Sequence, residues 1–196
     1  MSKLRFTIYL YSYLKALFLK YKAVVKFILT FLIVYGALSL LYDLYLRYSG
    51  STKYYPDYFT NLVARQTEIL LNTVGYQSQI LPHPNEPSMK LILNGKYLAR
   101  VIEGCNSFSV IILFVSFVVA FSGKIKTTIV YILSGSVMLY VVNLFRIVLL
   151  TIGLYHYPEY ENILHTVVFP AIIYGMVLLL WVLWVNRFSK IAQQHE

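Results

Sequence analysis

The chain has 196 residues, of which 59% are hydrophobic and 13% charged, and a formal net charge of +9. A charged fraction about half the usual one, with the apolar residues gathered into long runs, excludes an ordinary soluble domain. The positive charge is not the patch of a nucleic-acid reader either. Lys3, Arg5, Lys15, Lys20, Lys22 and Lys26 lie beside the first apolar run, Lys124 and Lys126 share one short loop, and Arg187 and Lys190 follow the last run. That is the charge distribution of cytoplasmic segments in a membrane protein.

In chain order, residues 1–23 are basic and tyrosine-rich and predict a cytoplasmic, interface-lying segment. Lysines interrupt it too often for the core of a cleavable signal peptide. A first membrane span is expected over 24–46. Residues 47–103 are too many for a plain connector. They predict a helix over 57–74, after Pro56 and capped by Gly75, with Phe59, Leu62, Val63, Ile69, Leu70 and Val74 on its apolar face. A proline-rich loop (Pro82, Pro84, Pro87) follows. Apolar segments on either side of Asn94-Gly95 then predict a β-hairpin over 90–102, because that dipeptide suits the tight turn twisted strands require.

Three further spans are expected, over 104–123, 127–155 and 162–186, with a cytoplasmic tail at 187–196. The fold class is therefore an all-α polytopic membrane protein in a single domain. It has about four transmembrane helices, a small extracytoplasmic helix and a β-hairpin. An even number of crossings puts both termini and the Lys124/Lys126 loop in the cytoplasm. It puts 47–103 and the loop 156–161 outside.

Chemistry enters through three residues at one depth. Cys105 opens the second span at its outer end. Arg146 follows Thr127 by about 19 residues, or roughly 28 Å of helical rise, which is nearly the thickness of the hydrocarbon core. His165 stands just inside the outer start of the fourth span. Each alone has a plain explanation. A buried thiol is ordinarily a small apolar filler, an arginine near a span end can snorkel to head groups, and a histidine can satisfy a helix end. Together they form a coherent set. His165 takes a proton from the thiol and returns it to a leaving amine, and Arg146 stabilises a thiolate or an oxyanion.

Asn143 shares a helix face with Arg146 and is expected to orient it or bind substrate. Asn106 and Glu103 flank Cys105 as supporting residues, with a Glu103–Arg100 ion pair the plainer role for the carboxylate. A lone cysteine excludes an internal disulfide and CxxC chemistry. Cys105, His156, Glu161 and His165 are permissible metal ligands, but their spacing matches no common zinc pattern, and neither metal nor cofactor is expected.

The run Glu103-Gly104-Cys105-Asn106-Ser107-Phe108, the later Asn143-Leu144-Phe145-Arg146-Ile147 and the histidine opening the next span resemble the exosortase/archaeosortase family. The likeness covers about residues 90–184, and the joint order of short motifs is its specific part. Many members have about eight spans, so this chain resembles the compact forms, such as the exosortase F type. The resemblance implies a cysteine transpeptidase or protease of the bacterial inner membrane. Cys105 would be its nucleophile, with Arg146 and His165 completing a triad at the outer face. The implied partners are exported proteins bearing a C-terminal sorting signal, made of a short motif, an apolar helix and a basic cluster. They would be cleaved through a thioester, with transfer to an acceptor or to water; membrane lipids are the other partner. Two other readings stay open at this point. One is a transport or assembly subunit in which Arg146 is a structural or ion-pathway charge. The other is a lipid-modifying enzyme that uses Arg146 to hold phosphate.

Overall fold

A computed structural model of the chain describes residues 21–49, 54–121 and 123–188. Residues 1–20 of the expected interfacial segment and 189–196 of the tail lie outside the described residues. Helix α1 spans Lys22–Tyr48, α2 Tyr58–Thr73, α3 Phe108–Ala120, α4 Ile125–His156 and α5 Pro158–Arg187. Strands β1 (Ser78–Pro82), β2 (Met89–Leu93) and β3 (Lys96–Val101) form one antiparallel sheet in the order β1-β2-β3. The helices α1, α4 and α5 are each long and apolar enough to cross a membrane. The protein is thus mostly helical, with a small sheet and the composition of a multi-pass membrane protein.

The segment expected as the second span is helical only over Phe108–Ala120, 13 residues. That is about 20 Å of rise, short of the roughly 30 Å hydrocarbon core. Two local causes shorten it. Before the helix, the chain makes a 3₁₀ turn at Glu103–Cys105, and Ser107 takes a left-handed φ of 68°. After it, Phe121 is extended. The Cys105 carbonyl touches Asn143 on α4, and Asn143 lies about 27 Å of rise beyond Ile125.

Helix α3 packs against α1, α4 and α5, with Ile112, Phe114, Ser116 and Val118 buried among them. Small residues permit this. An added Cβ at Gly135 of α4 would stand 2.4 Å from the Phe114 ring of α3, and one at Gly123 would stand 2.7 Å from Trp184 of α5. Helix α1 has no buried residue and holds to the bundle mainly through α3. Its ring contacts there are Phe27 with Phe121 at 4.4 Å, Phe31 with Phe117 at 4.7 Å, and Tyr42 stacked on Phe108 at 5.6 Å.

Helix α2 begins as the sequence predicts. Asp57 caps it by accepting from the Thr60 amide, and Gly75 beyond its end has φ +97°. Its buried face differs from the expected one. Thr60, Val63, Ala64, Thr67 and Leu71 are buried, whereas Ile69 and Val74 are more than 60% exposed. The face packed on the sheet is narrow and admits small residues. Thr67 satisfies its own hydroxyl on the Val63 carbonyl, so it can stand on a buried face.

The hairpin turns at Asn94 and Gly95 with φ of 49° and 78°, as a tight two-residue turn requires. The third strand, β1, went unforeseen because Ser78-Gln79-Ile80-Leu81-Pro82 is short and ends on proline. Helix α2 holds it in place. The Ser78 amide donates to Asn72 Oδ1 and the Ile80 amide to a Glu68 carboxylate oxygen. Met89, Leu91 and Leu93 of β2 are fully buried between α2 and α4. The C-terminal half of α4, with Leu144, Ile147 and Val148, closes this core.

Candidate active site

Strand β3 leaves the sheet core at Val101, and four residues later the 3₁₀ turn presents Cys105. The cysteine is partly buried and free. Its amide donates to the Ile102 carbonyl (2.8 Å), and the Asn106 amide donates to the Glu103 carbonyl (3.1 Å). Both backbone donors at the thiol are therefore consumed by the turn. Asn106 is wholly buried and closes it from the far side. Its Oδ1 accepts from the Phe108 amide, and its Nδ2 donates to Tyr42 on α1 (2.7 Å) and to Thr60 on α2 (3.2 Å). The supporting role expected of Asn106 is thus structural: one side chain ties three helices behind the cysteine.

Asn143 reaches the same turn from α4. It is 1% exposed, and its Nδ2 donates to the Cys105 carbonyl at 2.7 Å. Its Oδ1 accepts from Arg146 Nη1 at 3.2 Å. One amide group therefore links the backbone of the cysteine to the guanidinium. Arg146 has no carboxylate within ion-pair distance among the described residues, and its Nε is buried without a hydrogen-bond partner. A half-buried guanidinium with an unpartnered Nε, set against a cavity, is the kind of polar group that ordinarily marks a binding or catalytic role.

A cavity of about 400 Å³ collects the three residues singled out in the sequence. Cys105 lines it from the 3₁₀ turn, Arg146 with Ile147 and Leu150 from α4, and Glu161 and His165 from the start of α5. Residues 97–101 of β3 form the remaining wall. His165 is exposed and lies in a π-helical turn, Leu164–Val168, within α5. Such turns are frequent where a helix is re-aimed at a functional site.

One expectation is corrected. The Glu103–Arg100 ion pair does not form; Arg100 pairs with Glu86 across the mouth of the proline-rich loop. Glu103 opens the 3₁₀ turn rather than continuing β3, and it lines two clefts, one with Ser88 and Arg100 and the other with Tyr42 and Asp43. His156, one of the permissible metal ligands, bonds Tyr76 with its Nε2 (3.0 Å). Among the described residues no three His, Cys, Asp or Glu side chains gather closely enough to hold a metal ion. Glu161 is the cavity residue whose position was not anticipated. Its signal was present in the four-residue spacing to His165, one helical turn. Comparison with protein families, with characterised proteins and with solved structures finds no match to this chain.

Proposed function

We propose that the protein is a membrane-embedded cysteine transpeptidase or peptidase of the kind its motifs resemble, the exosortase/archaeosortase family. It cleaves exported proteins at C-terminal sorting signals. The observation that carries this reading is the convergence of Cys105, Arg146 and His165, from three separate elements, on one cavity.

The reaction divides among the residues as follows. The Cys105 thiol gives its proton to His165, and the thiolate sulfur bonds to the carbonyl carbon of the scissile peptide. The oxyanion so formed needs donors. The amides of Cys105 and Asn106 are already spent, which leaves the duty to Arg146, steadied by Asn143. The C–N bond then breaks, the amine takes the proton from the His165 imidazolium, and a thioester remains. An acceptor nucleophile or water attacks the thioester and frees the thiol. Glu161, one turn before His165, is suited to orient the imidazole.

In this reading the chain makes four crossings of a bacterial inner membrane. Both termini and the Lys124/Lys126 loop are cytoplasmic, and the cavity opens at the outer face. Support comes from the roughly 27 Å that Cys105 to Lys124 must cover beside α4 and from the basic residues at the opposite end.

The deciding experiment is co-expression with an exported protein ending in a short motif, an apolar helix and a basic cluster. Blots would compare wild type with Cys105→Ala and Cys105→Ser. Loss of cleavage in both variants at normal protein level is the expected result. Cleavage retained by both would remove thiol chemistry and return Arg146 to a structural role.

A further inference from the structure

The two edges of the sheet are treated differently. At β1, the outward amides of Ser78 and Ile80 are occupied by Asn72 and Glu68 of α2. At β3, among the described residues, no hydrogen bond outside the β2–β3 ladder engages the backbone. Residues 97–101 wall the cavity that also holds Cys105, Arg146 and His165. The strand then runs on to the cysteine through only Ile102, Glu103 and Gly104. Lys96, Arg100 and the bulge opposite Leu91 and Ile92 are features that keep an edge from pairing with other sheets. They leave an edge accessible to a single strand entering the cavity.

We propose that β3 is a docking edge for an extended peptide, which adds to the sheet as a fourth strand and is delivered in register to Cys105. The ligand class is peptide backbone in extended form, recognised through main-chain hydrogen bonds, with side-chain preference left to the cavity walls. A strand added beside β3 has the backbone of the cysteine turn directly ahead of it, so each two-residue step along the edge moves the peptide by one repeat toward the thiol. The proposal rests on the cysteine-enzyme reading for its purpose, but its test does not require turnover.

The test uses the full chain in lipid nanodiscs and two synthetic probes. Each is a hexa-alanine peptide carrying a methanethiosulfonate group that forms a disulfide with Cys105, releasing methanesulfinate. One probe has ordinary amides and the other N-methylated ones, which cannot donate. Hydrogen exchange of β3 is then read by mass spectrometry. The ordinary peptide is expected to slow exchange in β3 about five- to tenfold, the effect of a few added hydrogen bonds, while leaving β1 unchanged. The N-methylated peptide is expected to leave β3 at its untreated rate. Equal protection by both probes, protection by neither, or failure of the reagent to reach Cys105 would overturn the proposal. Protection of β3 in a protein whose processing survives Cys105→Ala would retain the docking edge and discard the enzyme.

Discussion

Asn143 concentrates the residue-scale argument. Replacing it with leucine of similar size removes the donor to the Cys105 carbonyl and the acceptor for Arg146 together. If Arg146 bears the oxyanion, the Asn143→Leu protein should lose about 10²- to 10³-fold in processing rate, the usual effect of disabling such a donor. Arg146→Lys should fare no better, since an ammonium does not reproduce the planar fork. Single-turnover cleavage of the co-expressed signal protein measures both. Asn106→Ala should behave differently. It breaks bonds to α1, α2 and the start of α3 behind the site, so the expected effect is a lowered melting temperature in detergent, from a loss of about 1–3 kcal/mol. Activity should recover on cooling. In the sequence both asparagines looked alike, as polar neighbours of reactive residues. Only the long-range contacts, of Asn106 with Tyr42 and of Asn143 with Cys105, separate a buried clamp from a site residue. No local pattern carries such contacts.

At the scale of elements, the periodic signals were readable and the irregular ones were not. The long apolar runs marked α1, α4 and α5 to within a few residues, and Asn94-Gly95 marked the hairpin. The helix α3 was overdrawn because hydropathy sees composition and not the 3₁₀ turn and left-handed Ser107 that shorten it. Strand β1 was missed because its edge is held by side chains from α2 rather than by a sequence of its own making. Two substitutions test these elements. Gly135→Ala drives a methyl into the Phe114 ring, which is fully buried and has little room to yield. It should destabilise the bundle by about 1–3 kcal/mol, seen as earlier thermal aggregation. Gly95→Ala meets no atom within 4 Å but inherits a φ of +78°. Its expected cost is smaller, about 1 kcal/mol, and arises from backbone strain alone.

For the whole molecule, counting helical rise is what put distant residues together. The three reactive side chains were placed at one level by counting helical rise, and one cavity holds them all. The sequence puts the hairpin's second strand just before Cys105, but its place as the fourth wall depends on packing across Ile147 and Val148 of α4, which no local pattern carries. The proposed four crossings make a direct demand on labelling. In a Cys105→Ala background, single cysteines at Lys126 and Ser189 should be modified by a membrane-impermeant maleimide only after the cells are opened. A cysteine at Tyr97 should be modified in intact spheroplasts. Modification of Lys126→Cys from outside would mean that α3 does not carry the chain across.

The π-helical turn at Leu164–Val168 has one more consequence. A π turn is an α-helix holding one residue too many, so α5 is wound about 100° out of phase across this point. Deleting Val167 would let the helix close into regular α form without changing the apolar run that follows. Everything before the deletion, His165 included, would swing by that angle about the helix axis. The protein would keep its spans, its cysteine and its arginine, and its histidine would point elsewhere. Inactivity in such a protein, regained when the missing residue is reinserted nearby, would mean that the histidine's aim is set by a miscount in the helix rather than by any contact of its own.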